Sequence, residues 1–371
     1  MKYYKLSALL LAVVLMFSLA ACETGANTPT DQPSQESAST VPPTQEATAA
    51  VSPTQEPSAG PTETPSDVEP GEIRLAVLSG PTGVGAAKLL DNIDNSPASL
   101  SYGAYSYAIY TDNSELVAGL TTGEIDIATM ASNVALNLYN KTGGGVKIIA
   151  AGTLGVLHIL EGGGGSSIHS VEDLWGKTIW SAGQGANPEY ILRHLLQESG
   201  LEVGVDVEIV FANASEIQAR LLSGDIECAM LPVPAATAAI AKGEGKVRAA
   251  IDVTEAWDEL QSGCQLIMTA VVARTEYLET YPDLVDHFLT DYEKSIDYVN
   301  NNPDAAAELV AGYGLAPNAA IARQAIPQCH LAFLSGGDMM SALSDYFLTL
   351  YAIDPASVGG SVPSNRIYYI P

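Results

Sequence analysis

Few residues of this 371-residue chain are spaced for covalent chemistry. The stretch that comes nearest to a reactive or binding motif is Ile73–Leu90, IRLAVLSGPTGVGAAKLL. Ile73, Leu75 and Val77 alternate and Leu78 closes an apolar run, which predicts a mostly buried strand. Gly80-Pro81-Thr82-Gly83 ends it, because proline removes a backbone donor and glycine permits positive φ. Val84-Gly85-Ala86-Ala87-Lys88-Leu89-Leu90 then has the composition of a helix. A helix start offers unpaired N–H groups and a partial positive charge, hence a seat for a carboxylate, phosphate, sulfonate or other electron-rich group. Nucleotide fingerprints fail here on identity. Lys88 stands where the third glycine of G-x-G-x-x-G belongs, and Gly85 is followed by Ala86 instead of the Lys-Ser/Thr of a P-loop. The turn reads equally well as a plain strand-to-helix connection with no ligand.

Other reactive side chains are dispersed. His158, His169, His194, His287 and His330 are scattered, with no G-x-S-x-G elbow and no H-E-x-x-H. No Cys-x-x-Cys or His-x-x-x-His spacing suggests a metal. The chain is therefore read as a non-enzyme without cofactor or metal. His158, in the apolar Gly155–Leu160 segment, is the histidine placed nearest a cleft, in a core or hinge role.

The elements that would position such corners follow from an internal repeat at an offset of 101 residues. Ser114-Glu115-Leu116-Val117-Ala118-Gly119-Leu120 aligns with Ser215-Glu216-Ile217-Gln218-Ala219-Arg220-Leu221, and Gly123-Glu124-Ile125-Asp126-Ile127-Ala128 with Gly224-Asp225-Ile226-Glu227-Cys228-Ala229. Between 114 and 130, seven of seventeen positions are identical. The same offset sets Tyr110 on Phe211 and Val146-Lys147 on Val247-Arg248. Each copy reads strand, capped helix, glycine stop, short apolar strand, loop, helix, strand. Ahead of the second copy, Lys177–Gly185 repeats the strand-to-glycine theme, and Asn187-Pro188-Glu189-Tyr190 starts a helix with proline in its first turn. One α/β unit built twice predicts two lobes facing across a cleft, with ligand outside the carboxyl ends of the strands. Two duplicated lobes packed with no ligand between them is the plainer alternative.

The N-terminus carries an address. Met1-Lys2-Tyr3-Tyr4-Lys5 is a short basic region, and Leu6–Ala20 is an apolar run too short for an ordinary spanning helix. Leu19-Ala20-Ala21-Cys22 closes it and resembles a bacterial lipoprotein signal, which implies cleavage after residue 21 and lipid (palmitate) on Cys22. A plain secretory signal is the alternative, and either one exports the chain. Glu23–Pro70 is rich in Pro, Thr, Ser, Gln and Glu, with eight acids, no basic residue and almost no large apolar side chain. It cannot offset its ordering entropy by burial and reads as a disordered acidic tether, 22–70.

The whole chain carries −27. Setting aside the eight tether acids and the two leader lysines leaves −21 for residues 71–371, enough length for one large or two medium domains. Such an acidic body is a poor binder of nucleic acid or of anionic lipid. Membrane attachment is expected through the N-terminal lipid alone.

The lipobox, acidic tether, GPTGVGAAKLL turn, SNVALNLYNK helix, GTLGVLHIL strand, GQGANPEYILRHLL corner and GDIECAMLPVP segment occur in this order. Together they resemble a solute-binding lipoprotein of an ABC importer, in the nitrate, sulfonate and thiamine-pyrimidine group of type II periplasmic binding proteins. The resemblance covers Ile73 to the C-terminus. It implies an α/β fold of two lobes, 71–162 with 265–371 and 163–264, closing on a ligand and delivering it to a permease and ATPase. It implies a monomer on the outer face of the bacterial cytoplasmic membrane. Ligand contacts are expected at Gly80, Pro81, Thr82, Gly83, Val84 and Gly85, at Ser132 and Asn133, and near Thr153 and Leu157. The second lobe would add Gln184, Gly185, Ala186 and Asn187, with Pro232 and Val233. Where relatives often carry an acid after Pro232, Val233 makes the wall more apolar. Blander roles are available to each: turn geometry for the glycines, helix capping for Asn133, strand packing for Thr153, strand termination for Pro232.

Residues 281–302 predict a core helix, with Leu284, Val285, Phe288, Leu289, Tyr292, Ile296 and Val299 on one face. Helices from this region would complete the first lobe, and Val358-Gly359-Gly360 with Ile367-Tyr368-Tyr369 would form a structured surface tail. Cys228 aligns with Ile127 and reads as a small buried hydrophobe. That leaves Cys264 and Cys329, which flank loop-like sequence, as an expected disulfide. The solute reads as a compact polar or anionic molecule: a sulfonate, a pyrimidine or another heteroaromatic. A sensing lipoprotein without a transporter and a pyrimidine-synthesising enzyme on the same fold are the alternatives; the cysteine-rich motif of the latter is absent.

Overall fold

The computed structural model describes residues 71–260 and 263–371. The leader, the lipidation site Cys22 and the tether lie outside the described residues. Two sheets carry the fold. The first half builds β1 (Ile73–Leu78), α1 (Pro81–Val84), α2 (Ala87–Asn95), β2 (Tyr105–Tyr110), α3 (Asn113–Thr122), β3 (Ile127–Ala131), α4 (Ser132–Thr142) and β4 (Val146–Thr153). The middle contributes β5 (Leu157–Glu161), β6 (Thr178–Ser181), α5 (Asn187–Glu198), β7 (Glu208–Phe211), α6 (Ala214–Ser223), β8 (Cys228–Pro232), α7 (Ala235–Lys242), β9 (Arg248–Asp252) and α8 (Val253–Leu260). The chain then returns through β10 (Thr269–Arg274), α9 (Thr275–Thr280), α10 (Pro282–Asn301), α11 (Pro303–Gly312), α12 (Ala319–Ala325), β11 (Leu331–Leu334) and α13 (Gly336–Ile353).

The first sheet runs β11-β4-β10-β3-β1-β2 and the second β7-β6-β8-β5-β9. Near-continuous apolar runs are what strands covered on both faces require, and β3 and most of β1, β4 and β10 are buried. The repeat survives in three dimensions. α3 and α6 each begin on a side-chain cap, Asp112 and Asn213, and each ends on a left-handed glycine, Gly123 and Gly224. In the first sheet β10 lies antiparallel between β3 and β4; in the second, β5 lies antiparallel between β8 and β9. Each lobe therefore receives one strand from just past a crossing. β5 pairs only within the second sheet, so the first crossing falls at 154–156 and not at the 162/163 boundary expected from sequence. The two crossing segments are tied together where Met268 N–H donates to Thr153 O at 2.8 Å.

The helix expected over 281–302 is α10, and the seven apolar residues assigned to its inner face are all buried. The C-terminal stretch is structured, as expected, but it is tied into the first lobe more closely than a surface tail. Asn133, Asn137 and Asn140 lie on one face of α4, and their side-chain amides donate to the carbonyls of Ser357, Val358 and Ser361 at 2.8–3.2 Å. Tyr369 N–H then donates to Ile148 O at 2.9 Å, and Ile367 and Tyr368 are buried. The expected Cys264–Cys329 disulfide is not formed; Cys228, Cys264 and Cys329 are all free. Cys264 Sγ accepts from Thr349 Oγ1 on α13 at 3.3 Å. Cys329 is fully buried in the turn before β11, where burial pushes its thiol up to about 12.

Candidate functional site

A cleft of about 960 Å³ opens between the lobes, within the size range of small-molecule sites. Its walls are the carboxyl ends of six strands. Leu78, Thr111 and Ala131 mark β1, β2 and β3; Ala182, Phe211 and Pro232 mark β6, β7 and β8. Strands of a doubly covered sheet end where their helices begin, so helix N-termini and glycine turns converge on this space. Gly80 occupies φ 80°, ψ −153° at the end of β1, a region open essentially to glycine alone. It presents the backbone itself to the cleft.

Most of the residues expected to contact ligand reach this space: Gly80, Pro81 and Thr82 from the first corner, Leu157 from the hinge, Gln184, Gly185, Ala186 and Asn187 from the second corner, and Pro232 with Val233. Six do not. Val84 is buried, and a side chain on Gly85 would run into Ile296 of α10. At Gly83 a Cβ would lie 2.6 Å from Leu78 O and 2.8 Å from Leu315 Cδ2, so this glycine serves close packing. Thr153 is buried behind the wall, its hydroxyl donating to Pro81 O at 3.3 Å.

Ser132 and Asn133 stand behind the cleft and join the lobes. Asn187 Nδ2, at the start of α5, donates to Ser132 Oγ and to Met268 O, each at 3.0 Å. Ser132 Oγ in turn donates to Ile267 O. Asn133 Nδ2 bridges Ser357 O of the first lobe, at 3.1 Å, and Gly185 O of the second, at 3.3 Å. Carbonyl oxygens only accept, so these partners fix which way both amides face. Asn133 Oδ1 and Asn187 Oδ1 are left buried without a donor among the described residues. Asn133 therefore acts as a cross-lobe tie and not as the cap of α4, whose cap position is Ala131.

The sequence reading passed over part of the wall. Thr111, Asp112, Asn113, Phe211, Asn213 and Ser215 line the cleft where β2 meets α3 and β7 meets α6. The 101-residue offset held the signal, since it pairs Asp112 with Asn213 just ahead of the aligned Ser114 and Ser215. Asp112 accepts from Ser114 N–H at 2.7 Å and Asn213 from Glu216 N–H at 2.9 Å. Hydrogen bonds from Ser114 hold the Asp112 carboxyl below the usual carboxylate range. Asp112 is the one ionisable side chain lining the cleft among the described residues, and Phe211 the one aromatic. Trp180 is covered by Arg220, whose guanidinium stacks 4.9 Å from its ring, and Trp257 is core. His158 does not line the space; it sits 3.9 Å from Asp252, and burial pushes its pKa down.

No group of three or more His, Cys, Asp or Glu side chains suited to a metal occurs among the described residues. The arrangement is suited to enclosing a small molecule with backbone and amide groups.

A family model described as NMT1/THI5 like matches residues 106–306, more than half of the chain. A search of curated proteins found no match. Among solved structures, an ABC transporter protein from Parabacteroides distasonis superposes with a TM-score of 0.67 at 22% identity, covering 80% of this chain and 98% of that one. The periplasmic aliphatic sulphonate binding protein SsuA of Escherichia coli gives 0.63 at 15% identity, covering 82% and 93%. The alkanesulfonate-binding protein SsuA of Xanthomonas axonopodis pv. citri, bound to MOPS, gives 0.60 at 15%, covering 80% and 96%. The fold is the two-lobed type II fold of periplasmic binding proteins.

Proposed function

The chain belongs to the NMT1/THI5-like family, and from that premise we propose that it is the extracytoplasmic solute-binding component of an ABC importer. Its two lobes close on a small polar organic solute and present it to a membrane permease driven by an ATPase. Two solute classes follow from the family reading: sulfonates, the class named for the SsuA proteins, and pyrimidine-like heterocycles. The observation that supports the role is the cleft of about 960 Å³ between matched carboxyl ends, with both glycine corners in its wall. Binding without chemistry fits a site with one carboxylate and neither histidine nor cysteine in its lining. Cleavage after Ala21 and lipid on Cys22 would hold the protein at the outer face of the membrane, with residues 22–70 as the tether.

Thermal unfolding against a panel of sulfonates, nitrate, aminopyrimidines, amino acids and sugars tests the role. A solute at roughly 100 times its dissociation constant adds about 2.7 kcal/mol to stability, a shift of several degrees. A saturable shift confined to one chemical class is the expected result. An unchanged midpoint with every compound would count against solute capture.

A further inference from the structure

We infer that the cleft selects a solute with no net negative charge, whose N–H groups are taken up by Asp112, and that it discriminates against sulfonates. This deepens the solute-binding reading above and rests on it.

Two observations carry the inference. The described lining holds neither Arg, Lys nor His, so an anion would meet only neutral donors and helix ends, each helix end worth about half a charge. Against them stands one full negative charge, Asp112. That charge is surplus to its local duty. The equivalent cap in the second lobe is Asn213, which holds the start of α6 by the same kind of bond without any charge. Aspartate and asparagine cap helices about equally well. What differs between them at position 112 is the field in the cleft.

The second is the field of the whole body: residues 71–371 carry −21, which lowers the local concentration of anions and raises that of cations and neutral amines relative to them.

The test compares the full chain with Asp112→Asn and Asn213→Asp, both of which keep a good cap and so keep the fold. The apo melting temperature of each variant checks that. Calorimetric titrations use size-matched probes: 4-aminopyrimidine and benzylamine against benzenesulfonate and ethanesulfonate. The native protein is expected to bind the amines and to show no saturable binding of the sulfonates. Asp112→Asn should weaken the amines about threefold to tenfold and admit the sulfonates; Asn213→Asp should shift both the other way. Sulfonates binding the native protein as tightly as amines, with neither variant changing the ratio, would overturn the inference and leave solute capture standing. Saturable binding of no probe to any of the three proteins would overturn solute capture, and the inference with it.

Discussion

At the scale of single residues, the glycine corners divide into two physical classes. Gly80 is needed for its backbone conformation and faces the cleft, whereas Gly83 is needed because nothing larger fits between Leu78 O and Leu315. Gly83→Ala should therefore cost about 1–3 kcal/mol of stability through overpacking, with solute affinity of the folded fraction unchanged. Urea unfolding alongside a binding titration separates the two effects. Asn187 is a different case. Its bonds to Ser132 and Met268 tie the second lobe to the first, and a hydrogen bond contributes roughly 0.5–1.5 kcal/mol net. Asn187→Ala should therefore lower the apo melting temperature by a few degrees and, by loosening this tie between the lobes, weaken solute binding. A drop in melting temperature with affinity intact would assign Asn187 to packing alone.

At the scale of elements, two fastenings hold pieces the sheets do not. The first fastens the loop between β5 and β6 to those already paired strands β5 and β9. Burial alone would raise the pKa of Glu161, but hydrogen bonds from Ser167, Ile168 and Arg248 outweigh it and hold the carboxyl at about 2. A carboxylate whose folded pKa lies below its ordinary value contributes stability above that ordinary value and loses it as pH falls. The contribution should be complete above about pH 4.5 and fade between there and about pH 2. Glu161→Gln should cost about 2–3 kcal/mol at neutral pH and flatten the acid limb of a pH–stability curve. The second fastening is the row of asparagines on α4. Asn137→Ala removes the amide that donates to Ser357 O at 2.8 Å and to Asn133 O at 3.2 Å. It should raise hydrogen exchange across residues 357–369 by about tenfold without altering exchange in the second lobe.

These elements also show what the sequence could carry. The β1 strand, the duplicated α3 and α6 with their glycine stops, and the apolar face of α10 are local patterns, and each stands where the pattern placed it; the expected turn at 80–83 is instead a short helix, Pro81–Val84, with α2 starting at Ala87. Relations across the fold were harder to see. That β5 belongs to the second sheet depends on its pairing with β8, which no local periodicity encodes. The asparagines of SNVALNLYNK sit at helical spacing in the sequence, yet their partners lie more than 200 residues on. The long α13 begins with two glycines at 336 and 337, a poor helix start, and is held by packing on β4 and α5. Asp112 and Asn213 were legible in principle, because the repeat aligns them, but a capping residue announces a helix more loudly than a cleft.

At the scale of the molecule, two copies of one α/β unit face each other, and under the proposed function a solute bound at their carboxyl ends bridges both. The hinge is narrow: residues 154–156 and the segment before β10 are the two crossings, tied by the Met268-to-Thr153 bond. Solute binding and the separation of the lobes are then two readings of one equilibrium, since a solute shifts it only by its preference for the closed form. The most direct measurement is small-angle X-ray scattering during titration with the solute that gives the largest thermal shift. The radius of gyration is expected to fall to a plateau with the same midpoint as the calorimetric isotherm, at one solute per chain. Saturable binding with no change in radius would contradict closure of the lobes on a solute as the protein's function.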